Sequence, residues 1–348
     1  MVTRHSRHRV RTGIAAAFAV AALVVTFAAP AAADPVPTLN RVDAASGWLA
    51  RQMVDGERFE VVFGDQVFPD QGLTIDAVFS FAAAKSADAF AARATAWLAR
   101  PEILTGYIGD GVEAYAGATA KLSLEAQVRG LDPRSFGGID LLVRLRGLQT
   151  PSGRFSDRSV FGDFSNAFSQ SFAVLTLHRA GGAPAAAVSF LAAQQCADGG
   201  FPLLFDQPTC VSDVDATAMA VQALLAAGRH AVAAAGARWL ASVQGADGSF
   251  AAEGVPNANS TGLAAQALRV TGRLLDWLQA RQFLLSLQVR CDGAPANRGA
   301  IAFTTDGFDP ATAARATAQA IPGLAGAGFG TLSAAGSHAA DAVLACPA

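Results

Sequence analysis

Apolar residues recur along this chain in two alternating patterns, and together they predict a helical repeat. The first pattern reads aromatic-Leu-x-x-x-Gln-x-x-x-Gly-x-Phe, as in FLAAQQCADGGF from residue 190 and WLASVQGADGSF from residue 239. RLRGLQTPSGRF, from residue 144, keeps the Leu, Gln, Gly and Phe. FLLSLQVRCDG, from residue 283, keeps the first half and reaches its Gly293 one residue late. Two worn copies begin at Trp48 and Trp97. The starts at 48, 97, 144, 190, 239 and 283 are 44 to 49 residues apart, a near-constant period that marks a structural repeat.

The second pattern is Ala-rich and helical. It appears as ATAMAVQALLAAG (216–228), STGLAAQALRVTG (260–272) and SNAFSQSFAVLTLHRAG (165–181). The first two end at Gly, as helix C-termini do. Asp, Asn, Ser or Thr precede or open them, as N-caps do. Each unit thus holds two helices of about a dozen residues and two turns. Asp198-Gly199-Gly200 and Asp247-Gly248 stop the first helix and permit positive φ. The Phe that follows folds back into the core, and the repeated Gln hydrogen-bonds to backbone in the turn. Gln, Gly and Phe are therefore read as architecture. The expected fold is all-α: the irregular terminal repeats fit an open solenoid or a closed ring, and six helix pairs of this length match a ring of six hairpins, a choice that the resemblance described below strengthens.

The chain begins with Arg4, Arg7, Arg9 and Arg11, then an apolar run from Gly13 to Ala29, then Ala31-Ala32-Ala33. That is the form of a secretory signal peptide, 1–33, and predicts an exported single domain, 34–348. No mature segment has 18 consecutive apolar residues, so no membrane span is expected. Four of the 26 Lys and Arg leave with the signal, while all 28 acidic residues stay. The acidic mature chain argues against a nucleic-acid partner. Four Cys in an exported chain suggest two disulfides. The favoured pairs are Cys196–Cys210, closing a short loop, and Cys291–Cys346, pinning the C-terminus to the last repeat. There is no C-x-x-C pair, and His178, His230 and His338 are scattered, so no metal site is expected. No Gly-rich phosphate loop appears, and no cofactor is expected.

The Gln-Gly-Phe repeat resembles the repeat of terpene and squalene cyclases. It is also similar to repeats of protein prenyltransferase β subunits and cobalamin carriers, all members of the α/α-toroid superfamily. The resemblance covers about residues 44–325. Phe155, Phe201 and Phe250 stand where the cyclase repeat has Trp, so the likeness is to the superfamily rather than to one enzyme. It implies an α6/α6 toroid in which one helix of each pair lines a cavity and the inner N-termini ring its mouth. Asn166, Thr217, Asn259, Thr261 and Asp309 then become candidate ligand contacts on a polar rim, above an Ala- and Phe-lined cavity. The same residues also suit ordinary helix capping. Asp213-Val214-Asp215-Ala216-Thr217-Ala218 resembles the Asp-x-Asp-Asp-Thr-Ala acid motif of class II terpene cyclases. The resemblance implies Asp215 as proton donor and Asp213 as its neighbour, and burial beside a second carboxylate would raise the donor's pKa. Ala216 replaces the motif's last Asp and removes a group that polarises the acid.

Three functions follow. The favoured one is an exported toroid that binds an apolar or amphipathic small molecule, isoprenoid- or corrinoid-like, in its central cavity. The second is a terpene cyclase-like enzyme with Asp215 as general acid. The third is a cell-envelope interaction scaffold. Single-domain length, export, disulfides and the incomplete acid motif favour the first. A monomer is expected because a closed ring has no free end to pair. Residues 326–348 are expected to pack a final short helix across the first repeat, held by Cys346.

Overall fold

The computed structural model describes residues 35–347, so the expected signal peptide, 1–33, lies outside the described residues. In chain order the first helices are α1 (Arg41–Arg51), α2 (Gln71–Ala84), α3 (Asp88–Leu98), α4 (Pro101–Ile108), α5 (Ala116–Val128) and α6 (Leu141–Arg146). Then come α7 (Ala167–Arg179), α8 (Ala185–Ala193), α9 (Val214–Ala226), α10 (His230–Val243), α11 (Ala258–Val270), α12 (Leu274–Ser286) and α13 (Pro310–Ala325). The domain is mostly helical, but the all-α expectation needs a correction. Eight short strands form four two-stranded sheets among the described residues. These are β1 (Val36–Thr38), β2 (Glu60–Phe63), β3 (Gln66–Pro69), β4 (Phe201–Pro202), β5 (Ser212–Asp213), β6 (Ala251–Ala252), β7 (Val255–Pro256) and β8 (Ala342–Leu344). Three of the pairs are antiparallel returns of the loops that lead into α2, α9 and α11. A loop that doubles back pairs its own backbone groups, which would otherwise need other partners.

All six repeat starts fall on α1, α3, α6, α8, α10 and α12. Between them, α2, α5, α7, α9, α11 and α13 pack in succession, and α13 packs back on α2. Backbones approach closely where α11 meets α13: a Cβ on Gly262 would lie 2.3 Å from the carbonyl oxygen of Gln319. Helix α3 stops at Leu98, and Pro101 opens α4, as a proline at a first helical turn does.

One bonding scheme ties the repeats together. The side-chain amide of Gln195 donates to the Gly199 carbonyl (2.9 Å) and to the Val232 carbonyl in α10 (3.1 Å). Gln244 does the same to Gly248 (3.0 Å) and to Asp276 in α12 (2.9 Å). Gln288 reaches Gly299 (2.9 Å) and Arg41 in α1 (2.8 Å), so the last repeat is joined to the first by the bond that joins its neighbours. In the third repeat Gln149 does not take this role. Gln170, from α7, donates instead to Gly153 and Ala187, each at 3.0 Å. The turn glycine of the last repeat is Gly299 and not Gly293. Gly299 has φ +97, and a Cβ there would stand 2.4 Å from the Ala44 carbonyl oxygen. Only glycine meets both demands.

A second fastening sits beside each staple. Backbone N–H groups of Phe59, Phe201, Phe250 and Ile301 donate to the hydroxyls of Thr74, Thr217, Thr261 and Thr317 at 2.8–2.9 Å. In the third repeat Phe155 N–H donates to Gln170 Oε1 at 2.8 Å. The turn aromatics Phe155, Phe201 and Phe250 are buried in the core.

Among the described residues, the chain after α13 forms no helix, contrary to expectation. It runs across the C-terminal ends of the ring helices. Arg179 donates to the carbonyls of Phe329 and Leu332, both at 2.9 Å. The Lys85 ammonium donates to the Ser333 and Ala335 carbonyls, and Ala334 N–H to the Val128 carbonyl. The tail then pairs as β8 with β1 in parallel. Disulfides join Cys196 to Cys210 and Cys291 to Cys346, with Cα–Cα distances of 5.6 and 5.5 Å. Among the described residues, no helix is long and apolar enough to cross a membrane.

Candidate functional site: the lumen of the helical ring

The ring helices enclose a cavity of about 190 Å³. Asp76, Lys121, Phe172, Met219, Leu263 and Arg315 line it, and each is the sixth residue of its helix, one from every ring helix. Residues at equal height meet around one space because these helices run parallel. The tier has two faces. On α13, α2 and α5 it is charged: Lys121 Nζ lies 2.6 Å from Asp76 Oδ1, and Arg315 lies 2.6 Å from Asp70 Oδ2. On α7, α9 and α11 it is apolar. Gln266 and Gln319 add amides to the wall. The expectation of an apolar cavity beneath a polar rim is therefore too simple, because charge reaches inside.

Below this tier the floor is aromatic. Phe329, from the tail, meets Phe79 and Phe172 edge-on, with ring centroids 5.1 and 5.7 Å apart. Gln266 is 1% exposed, and its Oε1 has no hydrogen-bond donor. A buried acceptor without a donor costs about 1–3 kcal/mol, so this amide is suited to a guest that carries one.

Above the tier stand the second residues of the same helices. A residue four back on a helix lies one turn up on the same face. That places Asp215 over Met219 and Asn259 over Leu263, near the mouth. Burial pushes the Asp215 carboxyl up to about 6, the Asp213 charge adds to this, and a Ser260 hydrogen bond opposes it. Asp215 Oδ1 and Asn259 Oδ1 are both buried without a partner. Asp215 is thus a carboxyl that holds its proton to unusually high pH, with one oxygen free.

The other expected site residues are placed differently. Asp213 is the N-cap of α9, and its Oδ1 accepts from Ala216 N–H at 2.7 Å. Asn166 caps α7 in a capping box with Ser169. Asp309 caps α13 and is exposed. Thr217 and Thr261 are a correction: both are fully buried, and each hydroxyl already holds the turn N–H described above. They fasten the wall from behind and present nothing to a guest. The four cysteines are structural. Lys121, Arg315 and Gln266 were not anticipated. Reading the same position down all six Ala-rich segments, rather than only their leading loops, would have found the first two.

The loops that lead to the ring carry exposed apolar side chains: Phe63 and Phe68 before α2, Phe161 and Phe164 before α7, Leu203 and Leu204 before α9. The approach to the lumen is apolar, while its inner wall is mixed.

No family profile matches this sequence, and no curated protein matches it. Solved structures do match its fold. A protein from Actinoplanes superposes with a TM-score of 0.59 at 17% identity, over 82% of this chain and 98% of that one. The apo structure of the type II terpene cyclase MstE from Scytonema gives 0.59 at 14% identity, over 82% and 97%. The fold is that of the α/α toroids. A further structure of MstE, a variant bound to the substrate geranylgeranyl dihydroxybenzoate, gives 0.58 at 14% identity.

Proposed function

We propose that this toroid is an exported, monomeric small-molecule binder built as six helix hairpins, and that its lumen holds one compact amphipathic guest. The observation that carries this is the two-faced tier: three adjacent helices offer charge and three offer apolar surface around one space. A guest hydroxyl or amine would bond to the charged side, while its apolar body lies against Phe172, Met219 and Leu263. Size narrows the class. Pockets for drug-sized ligands measure about 300–1,000 Å³, whereas this lumen has about 190 Å³, which argues against a corrinoid and for a short isoprenoid or similar amphiphile. The signal-like N-terminus and two disulfides support export. The test uses purified mature protein, incubated with a lipid and isoprenoid extract and re-isolated. Mass spectrometry is expected to find one unchanged compound at near-stoichiometric yield. A protein that returns empty from every extract overturns the reading.

One observation favours a second reading, acid catalysis of the cyclase type. Asp215 is a largely buried carboxyl with a raised pKa and a free oxygen near the mouth, in a fold shared with a type II terpene cyclase. A proton donor of this kind would pass its proton to an alkene and retake one after reaction. Ala216 and the small lumen weigh against it. Under this reading the extract returns an altered, cyclised compound, and Asp215→Asn abolishes its appearance. Product formation that survives Asp215→Asn excludes Asp215 as the acid.

A further inference from the structure

The lumen floor belongs to the tail rather than to the ring. Phe329 closes the lumen, and its backbone is held from both sides: its N–H donates to Gln222 Oε1 at 3.0 Å, and its carbonyl accepts from Arg179 at 2.9 Å. A second cavity, of about 480 Å³, lies at the C-terminal ends of the ring helices. Its lining includes Gln222, Arg269, Val270, Gly328 and Gly330. Gly328 and Gly330 flank Phe329 in sequence, so one stretch of the tail lines both cavities. Gly328 also fixes the path of the tail, since a Cβ there would lie 2.4 Å from Val270 Cγ1. Gln222 is 3% exposed, lines the second cavity, and has a buried Nε2 without a partner.

From this arrangement we infer that Phe329 is the specificity-determining residue of the lumen, setting the length of chain it accepts. The inference rests on the lumen being a binding site. A linear guest lays its apolar end on the aromatic floor and turns its polar end up the lumen, toward the charged side of the tier at Asp76, Lys121 and Arg315. Each further methylene buried raises affinity about fourfold until the chain meets Phe329. Beyond that length the guest must displace a ring already packed against Phe79 and Phe172, and affinity stops rising. Shortening the Phe329 side chain opens the lumen into the second cavity, and longer chains then fit.

A series of linear primary alcohols, from butanol to tetradecanol, tests this by calorimetric titration of the full mature protein. The alcohol supplies one hydroxyl for the charged side of the tier and an apolar chain of known length. Wild type is expected to gain about fourfold per carbon up to a break, then level off. Phe329→Ala is expected to move the break by at least two carbons and to raise affinity for the longer members by about tenfold or more. Phe329→Leu shortens the ring less and loses less packing. It is expected to move the break in the same direction by a smaller step, and it serves where the Ala variant does not fold by circular dichroism. A break at one chain length in wild type and both variants overturns the role of Phe329 and leaves the binding site standing. Failure of every alcohol to bind any of the three proteins overturns both.

Discussion

The two ends of the ring helices are finished in different ways. Every helix leaves unpaired N–H groups at its start and unpaired carbonyls at its end. At the mouth, most starts are capped by the residue just before the helix: Asp70, Asn166, Asp213, Asn257 and Asp309 each accept from their own first turn. At the base the turn after each helix pairs its last carbonyls, as the N–H groups of Ser86, Leu131, Gly182, Arg229, Arg273 and Ala327 do, and a distant segment is then laid over these turns. The tail lies across the helix ends, and Lys85, Arg179 and Gln222 hold its backbone. Local capping leaves the mouth loops free to differ between repeats and to carry polar chemistry. A base closed by one shared strap has no such freedom, because a change in the strap is felt by several helices. Stability should therefore concentrate at the base, and pH-sensitive chemistry at the mouth.

The largest test of that contrast is at the floor. Phe329→Ala should lower unfolding free energy by about 3–5 kcal/mol in denaturant titration, the usual range for a buried aromatic. A loss under 1 kcal/mol would mean that the tail is not a structural part of the ring. Next comes the mouth carboxyl. The Asp215 pKa is raised to about 6 from an ordinary 3.8, so the folded state binds its proton more tightly than the unfolded state does. The stability it lends is present at low pH and lost as pH rises from about 4 to about 6, a difference of about 3 kcal/mol. Asp215→Asn should remove that slope and leave the variant more stable than wild type at pH 7. A flat difference between the two proteins across that window would show that Asp215 is solvated.

A smaller effect is expected at the strap. Arg179→Ala removes two charge-assisted bonds to tail carbonyls and should cost about 2–3 kcal/mol. Hydrogen exchange should then speed up in residues 329–335 before the ring helices respond. Smallest is a single cap. Asn166→Ala should cost about 1 kcal/mol and change nothing at the base. If it cost as much as Phe329→Ala, mouth and base would not be separable.

Much of the frame was legible in the sequence because its causes are local. Turn glycines, terminal caps and helical period are each written within a few residues, and both cysteine pairs matched their expected partners. The last turn was misread at Gly293 because an insertion carries the close approach on to Gly299. Gln170 replaces Gln149 from a different helix, a swap that no motif read along one segment can show. The charged wall was missed for another reason. Lys121 and Arg315 look like solvated helix charges until the rotation of each helix about its axis is known. The tail was read as a helix from its Ala content, but its backbone is held by side chains remote in sequence. Asp215 was singled out from a resemblance. Its burial came only from the packing of α9 against α11.

The seam between the last repeat and the first also has a history in time. Gln288 and Arg41 are 247 residues apart, and so this staple is absent until nearly the whole chain exists. Distant pairings carry a loop-closure penalty and slow folding. The five internal junctions can form in order, each between repeats that start 44 to 49 residues apart, while α1 waits with one flank bare. Pulsed hydrogen exchange during refolding should find protection of α1 and α13 arriving last and together. Under the export proposed above, that delay would have a use: a ring that shuts only on its final helix stays open, and threadable, until translocation is over.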